Sequence, residues 1–154
     1  MNSIIRPVVE SDIPALKQVV DSCELFPSEF LEEMLANYLN VPDSEEIWFT
    51  CSENDTLVGF GYCVPEQLTE GTYNLLAIGV ARNAQRTSIG QKMMGYIEDV
   101  LKGKNGRILI VETSSDQAQE GARNFYRKLT YTQMAVIKDF WKDGEDKIVF
   151  WKRL

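Results

Sequence analysis

Gln85-Arg86-Thr87-Ser88-Ile89-Gly90 stands where an apolar run, Leu75 to Val80, meets a segment of about Ser88 to Leu101. In that segment Ile89, Met93, Ile97, Val100 and Leu101 recur at helical spacing. A strand that hands the chain to a helix through such a turn leaves first-turn N–H groups without partners, at the positive end of the helix dipole. This arrangement suits an anion, and a pyrophosphate most of all. Gly90, lacking a Cβ, gives such a ligand room to approach the backbone.

Upstream of the turn, Tyr73-Asn74-Leu75-Leu76-Ala77-Ile78-Gly79-Val80 is nearly continuous in apolar residues, which predicts a central strand buried on both faces. Gly79 there fits either close approach of a ligand or a bulge. Ile47 to Cys51 and Leu57 to Val64 flank the turn residues Glu53-Asn54-Asp55, the pattern of an antiparallel hairpin. Ile13, Leu16, Val19, Val20 and Cys23 share one helical face behind a Ser11 cap, and Pro14 is harmless in a first turn. A second helix opens at Pro27-Ser28, carries the stripe Leu31, Met34, Leu35 and Tyr38, and stops at Val41-Pro42-Asp43-Ser44. Ile4 to Val9 read as a short strand whose Pro7 belongs near an edge or an end.

Downstream, Gly103-Lys104-Asn105-Gly106 stops the helix and Arg107 to Glu112 forms a strand. Ala118, Ala122, Phe125, Tyr126 and Leu129 place a further helix against the sheet. Strands of about Tyr131 to Lys138 and Lys147 to Lys152 follow, with Gly144-Glu145-Asp146 between them. The order β-α-α-β-β-β-α-β-α-β-β over residues 1–154 reads as a single α+β domain. A chain of this length buries roughly 70% of its unfolded surface and is too short for two ordinary domains.

Sixteen basic against twenty-three acidic residues give a net charge of −7, which argues against a nucleic acid or an anionic membrane as the main partner. The chain has no histidine, and Cys23, Cys51 and Cys63 show no C-x-x-C spacing, so no metal site and no hydrolytic triad is expected. The three thiols read as buried and free. Met1 to Pro7 lack an apolar secretion segment, so a cytoplasmic location is expected and the acceptor pattern Asn54-Asp55-Thr56 has no secretory context. A phosphotransferase is disfavoured because no Gly-Lys-Ser/Thr sequence follows the turn.

Gln85, Ser88 and Gly90 occupy the places of a pattern written Gln/Arg-x-x-Gly-x-Gly/Ala, departing at its first glycine. Further on, Gln119 to Tyr131 follow Asn-x-x-Ala-x-x-Phe/Leu-Tyr-x-x-x-Gly-Phe, with Ala122, Phe125 and Tyr126 in place. There Gln119 stands for Asn, Thr130 for Gly and Tyr131 for Phe. Both motifs, in this order and on these elements, resemble the GNAT superfamily of N-acetyltransferases.

The resemblance implies a mixed, mostly antiparallel sheet of about seven strands flanked by about four helices. It also implies acetyl-CoA as donor. Backbone N–H groups of Arg86, Thr87, Ser88, Ile89 and Gly90 would hold the pyrophosphate, with Gln85 and Gln119 completing the cofactor site. Ile78, Gly79 and Val80 would pair with the pantetheine arm, and an N–H at Val80 or its neighbour would meet the oxyanion. Tyr126 would give a proton or a hydrogen bond to the CoA sulfur, a core tyrosine being the alternative.

A carboxylate is needed to relieve an alkylammonium of its proton, because such amines are mostly charged at neutral pH. Glu112 closes the apolar strand Arg107 to Val111 at the end where ligands gather in open sheets. It either acts as that base or anchors an ammonium group, or else orders the Thr113-Ser114-Ser115 loop or simply meets solvent. Glu66 and Glu70 are further candidates. Phe140 and Trp141 offer a hydrophobic wall for the acceptor or ordinary packing. With no Cys or Ser partnered by His, direct attack in a ternary complex on a primary amine is expected. A CoA-binding module without turnover is the alternative. The acceptor's identity and a homodimer stay open.

Overall fold

The computed structural model describes residues 3–154, so Met1 and Asn2 of the stretch read for a secretion segment lie outside the described residues. Seven strands follow the order β1-β2-β3-β4-β5-β7-β6: β1 (Ser3–Pro7), β2 (Ile47–Glu53), β3 (Thr56–Pro65), β4 (Thr72–Val80), β5 (Ile108–Ser114), β6 (Thr132–Lys142) and β7 (Glu145–Arg153). The helices are α1 (Ile13–Cys23), α2 (Leu31–Asn40), α3 (Ile89–Gly103) and α4 (Glu120–Lys128). The expected α+β class and element order are therefore present. The chain divides into two compact units, one reaching to Val64 and including Leu76–Asp99, the other comprising Pro65–Leu75 and Val100–Leu154.

In the first unit, alternation along β2 sends Trp48 and Phe49 to opposite faces. Trp48 stacks on Tyr62 with ring centroids 4.1 Å apart and joins Phe60, Leu16, Val19, Val20, Leu31 and Leu35 in the core under α1 and α2. On the other face Phe49 approaches Tyr96 of α3 at 5.2 Å. A Cβ on Gly59 would stand 2.9 Å from Met93 Sδ, so the glycine admits α3. Each fully buried aromatic of this set contributes roughly 1.5–3 kcal/mol.

Ser11 was the expected cap of α1, but the N-cap position falls to Asp12, whose side chain makes no capping hydrogen bond to the helix and is engaged upstream instead. Its carboxylate accepts the Val9 N–H at 2.9 Å and takes both arms of the Arg6 guanidinium at 2.8 Å. The hydrogen bonds from Arg6 hold the Asp12 carboxyl below the usual carboxylate range. A short 3-10 turn at Glu10–Asp12 brings that carboxylate to the helix entry, a local conformation that the periodicity of α1 does not encode. A similar turn, Ser28–Phe30, precedes α2.

In the second unit, β4 and β5 pair in parallel from Thr72↔Ile108 to Leu75↔Val111. The expectation that β4 is buried on both faces holds at Asn74 and Leu75 and fails at Leu76, which is 48% exposed. Leu76 is the first residue outside that ladder. β5 and β7 run antiparallel from Ile108↔Arg153 to Ser114↔Lys147. β6 pairs with β7, but its register breaks between Gln133 and Ala135 and again between Ile137 and Lys142. All eleven residues of β6 are exposed.

Candidate active site

The turn after β4 is tied down by its own side chains. Gln85 Nε2 donates to the Val80 carbonyl at 3.0 Å, and Thr87 Oγ1 donates to the Ala84 carbonyl at 2.7 Å. Between them Arg86 takes a left-handed backbone, φ 63°, which reverses the chain before α3 begins at Ile89. A non-glycine residue there costs of order 1 kcal/mol, a strain that clusters at ligand sites. Left-handed backbone falls on Arg86 and not on Ser88, so the serine in the place of the pattern's glycine meets no steric objection from its own backbone.

Ser88 and Gly90 N–H groups have no acceptor within the protein among the described residues, and Ile89 N–H reaches only Thr87 Oγ1 at 3.4 Å. From Arg82 to Lys92 the chain carries three basic side chains and no acidic one, in a protein with twenty-three acids. Unclaimed donors, a helix start and local positive charge fit an anionic diphosphate.

Ile78, Gly79 and Val80 end β4 just before this turn. A Cβ on Gly79 would lie 2.8–2.9 Å from Leu25 Cδ1, Cys23 Sγ and Phe60 Cε1. These contacts give glycine at this position a packing reason within the protein itself.

In the other unit, register explains a second constellation. Asn74 is opposite Ile110, and Glu112 lies two residues beyond Ile110 on the same face of β5. Glu112 is opposite Val149, so Lys147 is its diagonal neighbour across the β5 to β7 pair. Lys147 Nζ accordingly meets Glu112 Oε2 at 2.8 Å, with side chains only 12% and 24% exposed. Asn74 Nδ2 donates to Glu66 Oε1 at 2.8 Å and to Glu112 Oε2 at 3.3 Å, linking the two carboxylates, while its buried Oδ1 has no partner.

The candidates named from sequence do not all assemble. Glu66 joins Glu112 through Asn74. Glu70 is exposed and contributes its backbone carbonyl, which accepts from Arg107 Nε. Phe140 comes to the cluster, its ring 4.2 Å from Lys147 Nζ, and Trp141 Nε1 donates to the Thr113 carbonyl at 3.3 Å. Both aromatics stand in the second register break of β6, where Asp139 is left-handed at φ 56° and its N–H donates to Asp146 Oδ1. Asn74 and Lys147 were not anticipated. An Asn inside an apolar strand and a Lys at the start of a closing strand were the signals available for them.

Tyr126 lies on the buried face of α4 at 4% exposure, its ring 5.3 Å from Phe125, 5.9 Å from Tyr131 and 5.7 Å from Phe150. Burial pushes its phenol upward, which keeps the hydroxyl protonated across neutral pH and able to donate a hydrogen bond. Gln119 is exposed at the N-terminal cap of α4, and its side chain makes no capping hydrogen bond. Among the described residues no group of three His, Cys, Asp or Glu side chains could hold a metal ion. No helix among the described residues is long and apolar enough to cross a membrane.

Comparison with solved structures finds the same architecture in other chains. A GNAT-family protein from Desulfovibrio desulfuricans aligns with a TM-score of 0.92 at 25% identity, covering 99% of each chain. A ribosomal-protein-alanine N-acetyltransferase from Brucella melitensis aligns at 0.79 and 20% identity, over 98% of this chain and 99% of that one. An aminoglycoside 6'-N-acetyltransferase from Enterococcus faecium aligns at 0.74 and 20% identity, over 97% and 96%. No curated protein matches the sequence significantly. The model of the acetyltransferase (GNAT) family matches residues 13–131, which include the turn before α3 and the motif on α4. On that match the chain belongs to the GNAT acetyltransferase family and is an N-acetyltransferase.

Proposed function

We propose that the protein transfers an acetyl group from acetyl-CoA to a primary amine by direct attack in a ternary complex. The observation that carries the donor half is the set of unclaimed N–H groups at Ser88 and Gly90, beside the left-handed Arg86 and a run without acidic residues. Bound acetyl-CoA supplies an activated thioester. Backbone from Arg86 to Gly90 binds the diphosphate, with Gln85 fixing the turn and Gln119 standing at the start of α4. Backbone of Ile78, Gly79 and Val80 aligns the pantetheine arm, and an N–H near Val80 meets negative charge on the carbonyl oxygen.

Glu112 takes a proton from the acceptor's ammonium, and Tyr126 gives its proton toward the departing sulfur. Phe140 and Trp141 flank the acceptor's carbon chain, and the face of Phe140 favours a cation beside it. The acceptor is a small molecule or a peptide bearing a primary amine, and the reaction needs no metal. The cell's cytoplasm, where acetyl-CoA is made and used, is the compartment this reading requires.

The test has two stages. Acetyl-CoA should raise the melting temperature, and an amine panel assayed for released thiol should give turnover. A melting temperature unmoved by acetyl-CoA sinks the donor assignment. Stabilisation without thiol release from any amine sinks the acceptor half.

A further inference from the structure

We infer that Lys147 is itself an acceptor, a self-acetylation site served by Glu112. This rests on the proposed reading of Glu112 as base and acetyl-CoA as donor, and goes beyond it by assigning a nitrogen of this chain. Whatever amine the protein acetylates must bring its nitrogen against Glu112. Lys147 Nζ already stands there, 2.8 Å from Oε2 and 4.2 Å from the Phe140 ring. A carboxylate and an aromatic face are the groups that recognise a primary alkylammonium.

Asn74 Nδ2 donates at 3.3 Å to the same oxygen, Oε2, that meets Lys147 Nζ, so amide and lysine together fix the position of the Glu112 carboxylate. The other lysines in ion pairs differ. Lys142 is 73% exposed and 3.8 Å from Glu145, and Lys17 pairs with the largely exposed Glu32. Those are solvated surface contacts.

The step balances without a further reagent. A bond forms between Nζ and the acetyl carbonyl carbon, and the carbon–sulfur bond of the thioester breaks. Of the two protons that the ammonium loses, one passes to Glu112 and the other neutralises the departing thiolate. The product is a neutral amide at Lys147 and free CoA. Loss of the lysine's charge releases Glu112 from its ion pair, so the modification would clear the carboxylate for an external amine.

The experiment incubates the purified protein with acetyl-CoA alone and maps lysine acetylation by mass spectrometry. A single acetyl group on Lys147 is expected, accumulating at a first-order rate independent of protein concentration, with Lys142 unmodified. Glu112→Gln should lose the modification by at least tenfold while acetyl-CoA still raises its melting temperature. Lys147→Arg, which keeps the positive charge, should remain unacetylated and folded.

A second readout uses no CoA. N-acetoxysuccinimide should label Lys142 at least tenfold faster than Lys147, because the latter is buried and ion-paired. Acetyl-CoA that stabilises the protein yet leaves Lys147 free overturns the inference and spares the donor assignment. Equal reagent labelling of the two lysines, or wild-type acetylation of Glu112→Gln, also overturns it. Failure of acetyl-CoA to bind removes both.

Discussion

Phe49 fills the space where Gly61 has no side chain: a Cβ built on Gly61 would stand 2.1 Å from Phe49 Cζ. Both residues are buried, on neighbouring strands paired Phe49↔Gly61. The ring cannot step aside without disturbing its contact with Tyr96. Gly61→Ala should therefore destabilise by about 1–3 kcal/mol, the range for overpacking a well-filled interior. Urea denaturation measures it, and Gly61→Ala with Phe49→Leu should recover part of the loss. An alanine variant as stable as the parent would show that the ring has somewhere else to go.

Asp12 ties three points together: the Arg6 fork, the Val9 N–H and the entry to α1. Asp12→Ala should cost about 1–2 kcal/mol, the range for a lost charge-assisted hydrogen bond to a backbone N–H beside a partly exposed ion pair. Because the folded carboxyl sits below its unfolded value, this contribution is present above the ordinary carboxylate range and fades as pH falls through the lower, folded value. The difference in melting temperature between parent and Asp12→Ala should therefore shrink on acidification below about pH 4.

At the alkaline end Cys63 and Tyr62 act in the opposite direction. Burial pushes the Cys63 thiol up to about 12, and burial together with Glu46 pushes the Tyr62 phenol up to about 12. Both raised values give stability that is intact below the unfolded pKa and lost as pH rises toward the folded one. For Cys63 the loss begins near pH 9 and proceeds at about 1.4 kcal/mol per pH unit. Thermal melts from pH 8 to 11 should show a steeper decline for the parent than for Cys63→Ala, and parallel slopes would contradict this.

Tyr126→Phe keeps the aromatic packing with Phe125, Tyr131 and Phe150 and removes only the hydroxyl. If that hydroxyl protonates the leaving sulfur, kcat should fall at least tenfold, about 1.4 kcal/mol in barrier, with acetyl-CoA affinity unchanged. Steady-state kinetics together with calorimetric titration separates the two quantities. Unaltered kcat would return the residue to a packing role.

Ser88→Gly restores the glycine of the family pattern. Since left-handed backbone falls on Arg86, the exchange relieves nothing, and acetyl-CoA affinity should change by less than about twofold, roughly 0.4 kcal/mol. A tenfold gain in calorimetric titration would mean that the serine Cβ obstructs the ligand.

Most of the fold is legible in the sequence because apolar periodicity reports burial. The stripes of α1, α2 and α3 and the hairpin around Glu53-Asn54-Asp55 appear where their residues predict. What periodicity cannot carry is a local hydrogen bond, and so the cap passes from Ser11 to Asp12 and Leu76 faces out of a strand that reads as wholly buried. Within the site, Glu112 is legible as a carboxylate ending an apolar strand, whereas its company is not. Lys147 and Asn74 reach it through strand pairing across 35 and 38 residues of sequence, and a register is a property of three strands together.

The interruption between Ile137 and Lys142 also bears on colloidal behaviour. An outermost strand with Met134, Val136 and Ile137 open to water offers a template on which a neighbouring molecule could stack and polymerise. The left-handed backbone at Asp139, with Lys138 and Lys142 on either side, denies it a straight rim, a geometry that disfavours growth of a filament from this edge.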